Sequence, residues 1–126
     1  MPSSSGHRRQ AGLLLPLLVF ACTQSNLEPE NARPLEPPPS YHSWWAEVEG
    51  CTGISAPLAR VRWYEAERLI NREAGTEHVG AWSPPHTIFI RSDRLLFEAG
   101  VKHEMVHDLL QVMEHDSPVF VRCAGM

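Results

Sequence analysis

One strongly patterned stretch, residues 101–113, reads Val101-Lys102-His103-Glu104-Met105-Val106-His107-Asp108-Leu109-Leu110-Gln111-Val112-Met113. At 100° per residue, the apolar side chains fill one broad arc: Val101, Met105, Val106, Leu109, Leu110, Val112 and Met113. The opposite arc is polar and holds His103, Glu104, His107, Asp108, Gln111 and Glu114. This pattern predicts an amphipathic helix on a core, capped by Ser92 or Asp93 and ending near Met113 or Glu114.

Within this helix, residues 103–107 form an H-E-x-x-H pattern. Residues four apart share one helix face, so the two imidazoles can bind one divalent metal ion, usually zinc. Glu104 is then placed to act as general base on a metal-bound water. Asp108 and Gln111 on the same face either support the ligands or are simply solvated. A solvated polar face is also the alternative for the whole motif, because seven histidines make a chance match easier.

A catalytic zinc site needs a third protein ligand and keeps its fourth position for water. His115 is the best candidate for this ligand. It follows the predicted end of the helix, where the chain can turn and bring it back. Glu114 and Asp116 are the alternatives.

With this motif on a helix that follows a predicted strand, residues 86–115 resemble the zincin metallopeptidases. The resemblance implies a minimal zincin-like core in which His103 and His107 bind Zn²⁺ and Glu104 is the catalytic base. It also implies a peptide or protein substrate.

The chain departs from the longer zincin patterns at two positions. Leu110 and Met113 stand where the extended metzincin pattern has a glycine and a third histidine, and no later helix supplies a glutamate ligand. The alternative function is therefore a non-catalytic envelope lipoprotein, in which a structural or vestigial metal site belongs to a binding module.

The rest of the domain, residues 41–126, predicts short strands and one further helix, which together give an α+β fold. Strands are predicted at 59–64, 80–82 and 86–90, the last bordering the cleft. Residues 65–75 predict a short surface helix or a long loop. The further helix begins after a cap at Ser43, packs its tryptophans in the core and ends at Gly50 or Gly53. Tyr64 and His86 are candidates to stabilise an oxyanion.

The N-terminus predicts a targeting segment. A positive region precedes the apolar residues 11–20, which are too few to span a bilayer. Ala21-Cys22 resembles a bacterial lipobox, so residues 1–21 are predicted as a lipoprotein signal peptide and Cys22 as the lipid-bearing residue. An ordinary cleaved signal peptide is the alternative.

Residues 22–40 are rich in proline and predict an extended linker between the membrane and the domain. The lipoprotein resemblance implies a lipid-anchored protein of the bacterial cell envelope. Since Thr23 is not the Asp typical of inner-membrane retention, it favours the outer membrane, facing the periplasm or the exterior.

Two further cysteines, Cys51 and Cys123, predict a disulfide in this oxidising compartment. Metal ligation by the pair is the alternative, without a CxxC spacing to support it. The formal net charge is −4 and no basic stripe is present, which argues against a nucleic-acid partner.

Overall fold

The computed structural model describes residues 27–126 and shows an α+β fold, as the sequence predicts. Its strands are β1 (Leu27–Glu30), β2 (Arg33–Pro34), β3 (Arg62–Ala66), β4 (Arg68–Asn71), β5 (Thr76–Glu77), β6 (Gly80–Ser83) and β7 (Thr87–Arg91). Its helices are α1 (Pro39–Thr52), α2 (Glu98–Leu110) and α3 (Val119–Ala124), with 3₁₀ turns at Leu58–Arg60 and Ser92–Arg94. No helix within residues 27–126 is long and apolar enough to cross a membrane. The predicted signal peptide and Cys22 lie outside the described residues.

A four-stranded sheet supports α2. Its strand order is β2-β3-β7-β6, with β3 and β7 parallel and the other two pairs antiparallel. Strand side chains join the apolar face of α2 in one core, which includes Trp63, Trp82, Ile88, Ile90, Val101, Met105, Val106 and Leu109. A second, antiparallel sheet has the order β1-β4-β5 and a smaller cluster around Leu69.

The predicted linker is wrong for residues 27–30 and 33–34, which form β1 and β2. Each of these strands lies at the edge of its sheet. Proline has no N–H to donate, but an edge strand needs hydrogen bonds on one side only, so Pro29 and Pro34 are tolerated there. The predicted domain start at Tyr41 is also too late. Helix α1 begins at Pro39, because a proline in the first turn costs no helical hydrogen bond.

Two segments before the site also differ from expectation. Residues 65–75 contain the end of β3 and all of β4 instead of a surface helix or loop, and Leu69 is fully buried. The strand predicted at 59–64 begins only at Arg62, after a 3₁₀ turn. Val61 and Trp63 are buried as expected. The predicted strands at 80–82 and 86–90 correspond to β6 and β7.

Helix α2 is shorter than predicted at both ends. It begins at Glu98 and ends at Leu110, because Gln111 adopts a left-handed conformation with φ 56°. Its N–H then bonds to the carbonyl oxygen of His107 at 2.8 Å. Residues 119–124, expected only as a tail, form α3.

The predicted disulfide between Cys51 and Cys123 is confirmed. It joins α1 to α3 across a sequence separation of 72 residues. In the chain-entropy account, closing a loop of this length stabilises the fold by about 4 kcal/mol.

Replacing both cysteines by serine should therefore lower the free energy of unfolding by about 2–5 kcal/mol. The measurement is urea unfolding followed by circular dichroism. Reduced wild-type protein is the matched control and should unfold with the midpoint of the double variant. Equal midpoints for oxidised and reduced wild type would contradict the expectation.

Candidate metal centre

Three residues of the polar arc are buried and not solvated. Only 7% of Glu104, 4% of His107 and none of Asp108 is exposed. Helix α2 packs against α3, α1 and β6. The alternative of a plainly solvated face is therefore wrong for these three residues, whereas His103 is partly buried and Gln111 is exposed.

Three histidines converge beside these residues, of which His107 is buried, His103 is partly buried and His115 is exposed. The left-handed Gln111 ends α2 and reverses the chain, which brings His115 back over the last turns of the helix. One potential ligand atom from each of His103, His107 and His115 lies within 4.8 Å of the other two. The Nε2 atoms of His107 and His115 are 2.9 Å apart. These three side chains could hold a metal ion, and the predicted alternatives Glu114 and Asp116 are exposed and outside the group.

The hydrogen bonds of the triad fit a metal site. The Nδ1 atom of His103 lies 3.1 Å from the main-chain oxygen of Met126, and that of His107 lies 2.6 Å from the oxygen of Val112. An Nδ1–H that donates to a main-chain oxygen leaves Nε2 free for a metal and fixes the ring plane. Burial lowers the pKa of His103 and lowers that of His107 to about 4, so both rings are neutral at pH 7. Neutral imidazole is the form that binds a metal.

Two aromatic side chains that the sequence did not single out enclose the triad. Phe120 of α3 has its ring centroid 4.6 Å from that of His107 and 4.9 Å from that of His103. Trp82 of β6 stacks on His107 at 5.9 Å with an angle of 4° between the ring planes. In the sequence Trp82 lies in a predicted strand and Phe120 in the predicted C-terminal tail. Neither position indicates a contact with the histidines, because these contacts depend on the tertiary fold.

Glu104 is buried beside the triad, and burial raises the pKa of its carboxyl to about 8. Among residues 27–126, the structure shows no hydrogen-bond donor to this carboxyl. The space for it depends on Gly80, where a Cβ atom would lie 2.8 Å from Glu104 Cγ. Gly80 is another site residue that the sequence alone did not reveal.

A cavity of about 180 Å³ opens against Glu104 and all three histidines. Its other walls come from β1, β4, β6 and nearby loops: Leu27, Asn71, His78, Gly80, Ala81, Trp82 and Met113. Neither predicted oxyanion candidate lies there, since Tyr64 stacks on Phe89 and His86 points to Asp108. Larger cavities occur elsewhere, including one of about 470 Å³ between the start of α2 and α3, but it contains none of the three histidines.

Asp108 and Gln111 do not bind the triad directly. The Asp108 carboxylate accepts hydrogen bonds from Arg60 and Trp82 and contacts His86. Gln111 donates to the main-chain oxygens of Pro85 and Asp108. Gln111 thus supports the loop before β7, while Asp108 holds Trp82, the indole that stacks on His107.

The chain matches no protein-family model, no curated protein and no solved structure.

We expect the metal-free protein to bind one Zn²⁺ ion per chain. Replacing His103, His107 or His115 by alanine should weaken this binding by more than about a hundredfold. The measurement is zinc titration against a competing chelator. His78→Ala is the matched control, because His78 lines the same cavity outside the triad. Loss of binding in that control alone, with the triad variants unaffected, would refute the assignment.

Proposed function

We propose that this chain is a zinc-dependent metallopeptidase of the bacterial cell envelope, anchored by a lipid on Cys22. The observation that carries the proposal is the meeting of three histidines and a buried glutamate at one cavity. His103, His107 and His115 would hold the zinc ion, and Glu104 would be the catalytic base.

The number of ligands favours a catalytic site over a structural one. Structural zinc sites are closed by four protein ligands, whereas catalytic sites use three and leave one position open. Within residues 27–126, the group contains three ligating side chains and faces a cavity. This leaves room for water or a substrate carbonyl at the fourth position.

The edge of β6 could hold the substrate. Strand β6 is the last strand of its sheet and pairs on one side only, with β7. The N–H of Arg91 bonds to the oxygen of Val79, so alternation along the ladder directs the main-chain groups of Gly80 and Trp82 away from β7. An extended peptide could pair with these groups and pass the metal centre. The bordering strand is therefore β6, and not the predicted strand at 86–90.

A bound zinc ion supplies a Lewis acid that polarises a carbonyl and makes water more acidic. The carboxylate of Glu104 accepts the proton that water loses as it attacks the peptide bond, and then passes it to the leaving amine. A nearby cation favours the ionised carboxylate, which opposes the effect of burial on the Glu104 pKa. The buried position of Glu104 keeps competing solvent away from this proton transfer.

Glu104→Gln should leave zinc binding unchanged and lower the hydrolysis rate by about 10²–10⁴-fold, because the amide cannot accept the proton. Cleavage of a mixture of unstructured peptides, followed by mass spectrometry, measures the rate. Glu114→Gln is the control, since Glu114 is exposed beside His115. A zinc-loaded wild type that cleaves no peptide would instead favour the non-catalytic lipoprotein with a structural metal site.

Gly80→Ala gives a second test, because the added Cβ must displace Glu104. We expect the variant to retain zinc and its hydrolysis rate to fall by roughly 10²-fold, the usual effect of a misplaced catalytic group. Gly50→Ala is the matched control, since a Cβ at Gly50 meets nothing within 4 Å. Full activity in the Gly80 variant would contradict the placement of Glu104.

A further inference from the structure

Asp108 is a fully buried carboxylate with a complete set of partners. Its Oδ1 accepts from Arg60 Nε at 2.9 Å, and its Oδ2 accepts from Trp82 Nε1 at 3.1 Å. His86 Nδ1 lies 3.1 Å from the same Oδ2. A second Arg60 nitrogen donates to the main-chain oxygen of Asp108 at 2.8 Å. Burying a charged carboxylate is costly without such pairing, so the network fixes Asp108 firmly in place.

This carboxylate follows the metal-ligand candidate His107 directly in the sequence, yet it does not orient any histidine of the triad by hydrogen bonding. The Nδ1 atoms of His103 and His107 use the main-chain oxygens of Met126 and Val112. The usual way in which a carboxylate supports a metal-binding histidine is therefore not used here.

Asp108 reaches the centre through the indole of Trp82. The hydrogen bond to Nε1 prevents the indole from rotating out of its plane. That plane lies parallel to the His107 ring, within 4°. Phe120 contacts the same ring at a centroid distance of 4.6 Å. His107 thus has two aromatic neighbours, and the orientation of one of them depends on Asp108.

We propose that Asp108 is a positioning residue of the metal centre, which holds the ring plane of His107 through Trp82. This inference rests on the proposed binding of a metal ion by the triad. It adds a second line of support for His107, independent of the bond to Val112. It also extends the centre to Arg60, which is 48 residues away from Asp108 in the sequence.

The test uses the full chain loaded with Zn²⁺ or Co²⁺. Asp108→Asn keeps the shape of the side chain and removes its charge, and we expect zinc affinity to fall by about 10–100-fold. The visible absorption bands of bound Co²⁺ should shift, because a rotated imidazole changes the ligand field. Trp82→Phe keeps a ring over His107 and removes the N–H, so it should reproduce both effects if Asp108 acts through that bond.

A double variant that combines Asp108→Asn with Trp82→Phe shows whether the two residues act through their common hydrogen bond or independently. If Asp108 acts through Trp82, the losses of zinc affinity will not add in the double variant. Asp93→Asn is the matched control, because it makes the same change at an exposed carboxylate that pairs with Arg91 and lies outside the triad and its cavity, and we expect its zinc affinity to be unchanged. Unchanged affinity and Co²⁺ bands in both folded single variants, or fully additive losses, would overturn the role of Asp108.

The same experiment separates this inference from the proposed function. A wild-type protein that binds neither Zn²⁺ nor Co²⁺ refutes the metal centre itself. A wild-type protein that binds both, with variants that match it, refutes only the positioning role. If Asp108→Asn does not fold, Trp82→Phe alone decides the outcome through its affinity and its Co²⁺ spectrum.

Discussion

The burial of polar side chains on one face of α2 is the constraint on which the rest of the site depends. Polar groups removed from water must find partners or change their protonation state. His103 and His107 find main-chain oxygens, and Asp108 finds Arg60 and Trp82. Glu104 differs from them, since burial alone raises its pKa and the described residues offer it no donor. Glu104 is therefore the side chain of this face whose burial the described residues do not compensate, and it lines the cavity together with the three histidines.

The sequence predicted helix α2, the histidine motif and the disulfide better than it predicted the strands and the residues that pack on the site. The arc of α2, the motif at residues 103–107, His115 and the disulfide all follow from local spacing or from the pairing rules of a few residue types. Helix periodicity shows which side chains share a face, and it can be read from one stretch of sequence without knowledge of the rest of the fold. It does not report what lies opposite that face, so the burial of Asp108 and Glu104 could not be predicted.

The errors fall where structure depends on distant partners. Strand β1 contains Pro29 and becomes a strand by pairing with β4, about 40 residues later. Strand β2 has only two residues, too few for any periodicity. Gly80 and Phe120 look like a strand residue and a tail residue, and only the packed fold brings them to Glu104 and the histidines. Proline content was a misleading signal because edge strands accept proline.

The position of β1 has a geometric consequence for the whole protein. Leu27 begins this strand and also lines the metal cavity, and only five peptide steps separate it from Cys22. A fully extended chain of that length spans about 18 Å at most. A lipid on Cys22 would thus hold the cavity on a short tether close to the bilayer surface. For the peptidase proposed above, the polypeptides within reach would be those that themselves lie near the membrane, so the tether would select substrates by location.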